Sequence, residues 1–214
     1  MNVHDFPDDA VARAVPYGIY DVAANQGWVY VGTSAETPDF AVDAIVRWWS
    51  TAGHTHYPTA QRILIVADSG GANGCRARRW KERLQRRFAD EYGLIVTVCH
   101  YPTGCSTWNP VEHRLFSPIS RNWAGIPLRS LSILLALIRG THSSTGLAVE
   151  AELLEGDYPT GRSVSKRLMR WLNITAADTC PRWNYTLRPR SLSDPPGTSG
   201  IRRLTPWDLE ALVG

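Results

Sequence analysis

The sequence predicts an α/β fold in which a β-hairpin is followed by helices that alternate with strands. Two short apolar runs, RILIVA at 62–67 and LIVTVC at 94–99, are typical of strands buried on both faces. The segment between them repeats its apolar residues at helical spacing. Strand, helix and strand in this order predict a parallel pair with a right-handed crossover.

The hairpin is predicted near the start of the sequence. Residues 17–22 (YGIYDV) and 28–33 (WVYVGT) are rich in β-branched and aromatic side chains, which favour strands. Asn25 and Gly27 lie between the two runs and suit a tight turn. We therefore expect two antiparallel strands here.

The first helix is predicted to begin at Pro38, after Thr37, because proline is favoured in the first helical turn. Gly53 ends the segment. Its apolar positions recur at helical spacing and comprise Ala41, Ile45, Trp48, Trp49 and Ala52. This spacing favours packing of both tryptophans in the core over stacking on bases.

Three further helices are predicted. The first extends from Arg76 to Tyr92, and its core face comprises Ala77, Trp80, Leu84 and Phe88. The next opens at Pro110 with Asn109 as its cap, and its apolar face comprises Val111, Leu115 and Ile119. We expect Pro118 to end or kink it. The last extends from about Leu128 to Arg139, and residues 191–214 read as a flexible tail.

Composition limits the class of protein. At 214 residues the chain suits one main domain, which we place at residues 1–190. A net charge of +3 means that any nucleic-acid contact must come from local basic clusters. Four cysteines without an apolar leader favour the cytoplasm, and no stretch reaches the ~20 apolar residues of a membrane helix.

Two carboxylates stand where the predicted elements can bring them together. Asp68 follows the first apolar strand, and Glu112 lies in the first turn of the helix after Asn109. Convergence of carboxylates at one sheet edge is what two-metal phosphoryl transfer requires, and oxygen ligands suit Mg²⁺ or Mn²⁺. Each residue also has a structural alternative. Asp68 suits a turn, and Glu112 can complete a capping box with Asn109.

Several long stretches carry a family resemblance. They are HDFPDDAVARAVPYGIYDVAANQGWVYVGTSAETPDFAVDAIVRWW, RILIVADSGGANG, VTVCHYPTGCSTWNPVEHRLFSPISRNW, TGLAVEAEL, YPTG and WNYTLRPR. On these stretches the chain resembles, from about Val3 to Arg190, the DDE domain of bacterial insertion-sequence transposases of the Rhodopirellula-type family. The resemblance implies an RNase H-like mixed sheet flanked by helices.

The resemblance also implies a triad of carboxylates that holds two Mg²⁺ or Mn²⁺ ions. Asp68 in ADSGGANG resembles the second aspartate of the triad, and Glu112 in NPVEH resembles its glutamate. The first aspartate of such domains lies on a strand before the hairpin, and about sixteen residues precede Tyr17. The chain is therefore expected to lack that first strand through N-terminal truncation, with Asp21 as a stand-in.

Basic residues supply the expected DNA contacts. Along the second predicted helix a stripe of arginines lies opposite the apolar face and comprises Arg76, Arg79, Arg83 and Arg86. Such a stripe can follow a phosphate backbone, and a solvated helix face is the alternative. His113 and Arg114, beside Glu112, are expected to meet DNA, although His113 can also be an ordinary surface residue. Trp108 and Trp123 suit either packing or base stacking.

We therefore expect a transposase core that cleaves transposon ends and joins the freed 3′ hydroxyl to target DNA. It would act as a homo-oligomer in the bacterial cytoplasm, associated with the nucleoid when bound to DNA. One alternative is a truncated, inactive remnant that binds DNA or transposase subunits. A second alternative is an RNase H-like nuclease, which would have no strand-joining activity.

Overall fold

The computed structural model describes residues 13–190. The chain divides into two compact units, each built from two separate segments. Of the described residues, the hairpin unit comprises 13–36 and 107–159, and the four-strand unit comprises 37–106 and 160–190. The predicted tail, residues 191–214, lies outside the described residues. The assignment of one domain to residues 1–190 stays a prediction.

The elements follow the predicted order, with helices and strands alternating between Pro38 and His100. In chain order they are β1 (Val15–Asp21), β2 (Gln26–Gly32), α1 (Pro38–Trp48), a π-helical turn (Trp49–Gly53), α2 (His54–His56), β3 (Arg62–Ala67), α3 (Arg78–Leu84), a π-helical segment (Gln85–Asp90), β4 (Ile95–His100), a 3-10 turn (Ser106–Trp108), a π-helical segment (Val111–Phe116), α4 (Ser117–Asn122), α5 (Leu131–Arg139), β5 (Ala148–Leu153), α6 (Lys166–Met169), β6 (Ile174–Ala176) and β7 (Asn184–Leu187). Within residues 13–190, no helix has both the length and the apolar character to cross a membrane.

The hairpin unit contains a three-stranded sheet in the order β1-β2-β5. Strands β1 and β2 are antiparallel, and β5 joins β2 in parallel, so the predicted hairpin is confirmed. Asn25 in its turn has a φ of 53°, a conformation that asparagine tolerates better than most residues. The phenolic hydroxyl of Tyr20 donates to Asn25 Oδ1 at 2.8 Å and fixes that side chain.

Two glycines let the helix that carries Glu112 approach this sheet closely. A Cβ atom on Gly27 would lie 2.3 Å from Leu115 Cδ1, and one on Gly18 would lie 2.7 Å from the Phe116 ring. Leu115 is fully buried, together with Ile119 of α4. The predicted apolar face of this helix is thus confirmed. Because the two glycines have no side chains, the helix can pack directly against the backbone of the hairpin.

Pro118 does not end its helix, contrary to one of the two expectations, because α4 continues to Asn122. A proline lacks an N–H donor, and its ring crowds the carbonyl four residues earlier. Here the preceding turn is widened, so that the N–H of Ser117 reaches the carbonyl of Glu112, five residues back. A π-helical turn of this kind accommodates the proline within a continuing helix.

The four-strand unit contains a sheet in the order β3-β4-β7-β6. Strands β3 and β4 are parallel, as predicted, and β7 is antiparallel to both of its neighbours. Trp48 and Trp49 are buried at the end of the first helix, which confirms their predicted packing role. Of the predicted core of the second helix, Trp80, Leu84 and Phe88 are fully buried, whereas Ala77 precedes the helix and is half-buried.

The prediction that β3 is buried on both faces is wrong. Leu64 is 61% exposed and Val66 is 41% exposed. Both lie on the same face, because side chains alternate along a strand. Strand β3 is at the edge of its sheet, and only the face that carries Ile63, Ile65 and Ala67 is better covered.

Candidate functional site

Asp68 directly follows β3 and is half-buried at the start of a tight loop. The backbone carbonyls of Ala67 and Ser69, on either side of Asp68, both accept hydrogen bonds from backbone N–H groups. Tyr101 N–H donates to the carbonyl of Ala67 at 2.8 Å, and Cys75 N–H donates to that of Ser69 at 3.1 Å. The carbonyl of Asp68 itself accepts a hydrogen bond from His100 Nδ1 at 2.8 Å. The backbone around this carboxylate is therefore well defined.

Two of the three glycines in the ADSGGANG motif, Gly71 and Gly74, suit the shape of this loop. Gly71 has a φ of 70°, a left-handed conformation that other residues adopt only with strain. A Cβ atom on Gly74 would lie 3.1 Å from the carbonyl oxygen of Ser69 and 3.2 Å from that of Gly71. The motif thus folds the chain back on itself immediately after Asp68.

A buried polar cluster lies behind the loop. His100 is 5% exposed, and Trp80, Lys81 and Tyr185 are fully buried. Trp80 Nε1 donates to Tyr185 Oη at 2.8 Å, and the Lys81 ammonium lies 5.1 Å from the centre of the Tyr185 ring. Burial lowers the pKa of His100, so its ring is neutral near pH 7. No pattern in the sequence predicted the contact of these residues with Asp68, although His100 ends the strand beside β3.

Glu112 is exposed in the first turn of its helix, where its negative charge interacts favourably with the helix dipole. Asn109 caps this helix, as predicted, because its Oδ1 accepts from Val111 N–H at 3.3 Å. Glu112 N–H donates to the carbonyl of Asn109 at 3.1 Å. These contacts fix the backbone that presents the Glu112 side chain.

Asp21 has a structural role in the hairpin turn. Its Oδ1 accepts hydrogen bonds from the N–H groups of Ala23 and Ala24, at 2.9 and 3.0 Å. Aspartate side chains commonly stabilise turns in this way. The turn therefore accounts for the carboxylate that stood in for a first catalytic aspartate, and a catalytic role for Asp21 stays a prediction.

The residues beside Glu112 face solvent. His113 and Arg114 are exposed, and His113 Nε2 donates to the backbone carbonyl of Thr107. Trp108 is 65% exposed, whereas Trp123 is partly buried against the core of the hairpin unit. The structure thus gives Trp123 a packing role and leaves Arg114 and Trp108 accessible on the surface.

Most of the predicted arginine stripe takes part in an ion-pair network between α1 and α3. Arg79 makes two hydrogen bonds to Asp39, at 2.9 and 2.7 Å. Arg83 lies 3.1 Å from Asp39 and 2.9 Å from Asp43. Arg86 pairs with Glu82 at 3.3 Å, and Arg76 is exposed. These contacts favour the structural alternative for Arg79 and Arg83, and DNA binding by the stripe stays a prediction.

The predicted carboxylates are divided between the two units. Asp68 lies in the four-strand unit, whereas Asp21 and Glu112 lie in the hairpin unit. In residues 13–190, no three His, Cys, Asp or Glu side chains form a group that could hold a metal ion. Asp68 and Glu112 fit Mg²⁺ or Mn²⁺ in the chemistry of their oxygen donors. A metal site formed by this pair stays a prediction.

The comparison with known families gives one match. The family model described as the Rhodopirellula transposase DDE domain matches residues 1–189. No curated protein and no solved structure matches the chain. The match includes the ADSGGANG loop and the helix that carries Glu112, so Asp68 and Glu112 both lie within it.

Proposed function

Because the chain belongs to the Rhodopirellula transposase DDE domain family, we propose that it is the catalytic core of a metal-dependent DNA transposase. Such a core would cleave transposon ends and join the freed 3′ hydroxyl to target DNA. The observation that carries the proposal is the family match over residues 1–189, which includes Asp68 and Glu112. The tight loop after Asp68 supports it, since a rigid backbone suits a residue that must point a carboxylate in a fixed direction.

In this proposal Asp68 and Glu112 hold divalent ions through their carboxylate oxygens. When bound, a pair of Mg²⁺ ions would activate the attacking oxygen and stabilise the leaving oxygen of a phosphoryl transfer. The protein's own contribution is to fix the backbone from which the two carboxylate side chains extend. Backbone hydrogen bonds on both sides of Asp68, and the Asn109 cap before Glu112, support that role.

The proposed partner is DNA, bound by a homo-oligomer of the chain in the bacterial cytoplasm. Arg114 and His113 are exposed beside Glu112, and Arg76 is exposed in the loop that leads into α3. Exposed arginines commonly position a protein on phosphate groups. Arg79 and Arg83 already pair with Asp39. We therefore propose that Arg76 and Arg114 contribute more to DNA binding than Arg79 and Arg83.

We also propose an RNase H-like fold in which the edge of β3 is open for a further strand. Ile95 N–H donates to the carbonyl of Gln61, and Tyr101 N–H donates to that of Ala67. Alternate residues therefore face β4, and the backbone groups of Leu64 and Val66 point to the opposite side. In the sheet of residues 13–190 no strand pairs with that side, which supports the expectation of a missing first strand.

Amide hydrogen exchange would test the open edge. We expect the amides of Leu64 and Val66 to exchange fast, because their N–H groups face water in this proposal. The amides of Ile63 and Ile65 should exchange slowly, because they donate to β4. They lie in the same strand and so serve as internal controls. Equal protection of all four amides would mean that the edge is already paired and would contradict the missing strand.

Metal binding would test the proposed function. We expect Mn²⁺ to bind the full chain in a calorimetric titration, and both Asp68→Asn and Glu112→Gln to weaken binding about tenfold or more, since each removes a ligand charge. Asp178→Asn and Glu155→Gln are matched controls, because these carboxylates are exposed in the same two units. The controls should bind as the parent does.

The same titration separates the alternatives. Failure of the folded parent chain to bind Mn²⁺ would contradict the proposal and favour an inactive remnant that binds DNA or transposase subunits. If Mn²⁺ binds, joining of a DNA 3′ hydroxyl to a second duplex would distinguish a transposase from a nuclease of related fold. Hydrolysis without joining would favour the nuclease.

A further inference from the structure

His100 lies where it can act on the backbone of Asp68. It is the last residue of β4 and is paired in register with Ala67, the residue before Asp68. Its ring is almost fully buried, and Nδ1 lies 2.8 Å from the carbonyl oxygen of Asp68. A carbonyl oxygen can only accept a hydrogen bond, so Nδ1 must carry the ring proton. In the tautomer that donates from Nδ1, the other ring nitrogen, Nε2, carries no hydrogen and can accept a hydrogen bond.

The other side of the ring faces a group that can donate. Tyr185 Oη lies 3.5 Å from His100 Nε2. That oxygen already accepts a hydrogen bond from Trp80 Nε1 at 2.8 Å, which leaves its own hydrogen to point towards Nε2. The hydrogen bonds are thus all donated in one direction: Trp80 donates to Tyr185, Tyr185 to His100, and His100 to the carbonyl of Asp68. This order selects one tautomer of the histidine.

His100 completes a set of three consecutive carbonyls that are all held. The carbonyl of Ala67 accepts from Tyr101 N–H, that of Asp68 from His100 Nδ1, and that of Ser69 from Cys75 N–H. With the peptide groups on both sides of Asp68 fixed, the direction of its Cα–Cβ bond is fixed too. Only the side-chain torsions are then left to place the carboxylate.

We propose that His100 is a positioning residue for Asp68, which it orients for metal binding through the backbone carbonyl, and that Trp80 and Tyr185 hold His100 in the required tautomer. This inference rests on the proposed function, because it assigns Asp68 the role of metal ligand. His100 would touch neither metal nor DNA. Supporting groups of this kind typically change metal affinity by about 10- to 100-fold when they are removed.

The alternative is that His100 is only a packing residue of the core. Two substitutions separate these roles. His100→Asn retains an N–H donor at about the position of Nδ1, whereas His100→Phe retains the ring volume and has no donor. If His100 only packs in the core, the phenylalanine variant should retain more Mn²⁺ affinity than the asparagine variant. If His100 positions Asp68, the asparagine variant should retain more Mn²⁺ affinity, even though it fills less of the core.

The experiment is a Mn²⁺ titration of the full chain and both variants, with thermal unfolding measured in parallel. We expect His100→Phe to weaken Mn²⁺ binding about tenfold or more and His100→Asn to retain most of the affinity. In the metal-free parent, imidazole ¹⁵N shifts should show a proton on Nδ1, and Tyr185→Phe should reduce the preference for that tautomer.

The outcomes are distinguishable. Parent-like Mn²⁺ binding by His100→Phe would overturn the positioning role and leave the proposed function intact. A proton on Nε2 in the parent would also overturn it, because the bond to Asp68 could not then form as described. Absence of Mn²⁺ binding by the parent would overturn the proposed function and this inference with it.

Discussion

Asp39→Ala is expected to lower the free energy of unfolding by about 3 kcal/mol, because it removes the shared acceptor of a half-buried ion-pair network. Asp39 is 6% exposed and lies in the first turn of α1. Arg79 and Arg83 of α3 both reach it, and Arg162 lies 3.9 Å away. Without Asp39, these partly buried guanidinium groups lose their common counter-charge. Urea unfolding followed by circular dichroism would measure the loss.

Asp43→Ala is the matched control for this prediction. Asp43 is on the same helix and pairs with Arg83 at 2.9 Å, but its side chain is more exposed than that of Asp39. We expect a loss of about 1 kcal/mol or less, as for solvent-accessible ion pairs. A similar small loss for Asp39→Ala would mean that the network contributes little and would leave Arg79 and Arg83 available for DNA.

The same network sets an acid dependence. Burial alone would raise the pKa of Asp39, but the hydrogen bonds and charges of Arg79, with Arg83 and Arg162, outweigh it and lower the pKa below 3.8. A lowered carboxyl pKa stabilises the folded state fully above the unfolded pKa. This stabilisation is lost as pH falls from about 4 through the folded pKa. The Asp39→Ala variant should lack that component of acid unfolding.

Lys81→Met is expected to raise the free energy of unfolding at about pH 7 by roughly 3 kcal/mol. Lys81 is fully buried, and its desolvation lowers the pKa from 10.5 to about 8. Keeping the ammonium charged in the core therefore costs stability. Methionine has a similar length and no charge, so it removes this cost. Urea unfolding of the two proteins across a pH series would measure the difference.

The sign of the pH dependence follows from the proton counts. Between about pH 8 and 10.5 the unfolded chain binds the Lys81 proton more tightly than the folded chain does, so the parent gains stability as pH rises. The advantage of Lys81→Met should therefore be full below about pH 8 and should shrink above it. Comparing the two proteins cancels the titration of other groups that the substitution leaves unchanged.

Lys166→Met is the control, because Lys166 is exposed at the start of α6 in the same unit. It should change stability little at any pH. A destabilised Lys81→Met protein would contradict the prediction and would mean that the ammonium, held near the Tyr185 ring, contributes more than its desolvation costs.

The sequence by itself determined the elements whose signals are local. Apolar spacing predicted the helices at Pro38 and at Arg76, and the turn residue Asn25 predicted the hairpin. The position of Asp68 after a strand and the Asn109 cap before Glu112 were also readable, because each depends on neighbouring residues only. Strands β6 and β7 were not predicted, since runs of three or four residues carry too little periodicity.

Only the tertiary structure decided which distant residues form ion pairs and hydrogen bonds, and which strand lies at the edge of the sheet. Asp39 meets Arg79 from another helix, and His100 meets Asp68 from the next strand, so no local pattern reveals either contact. The exposure of Leu64 depends on what pairs with and covers β3, which an apolar run cannot specify. These features arise because burial and pairing are properties of the folded sheet, whereas periodicity reports only the preferences of each segment.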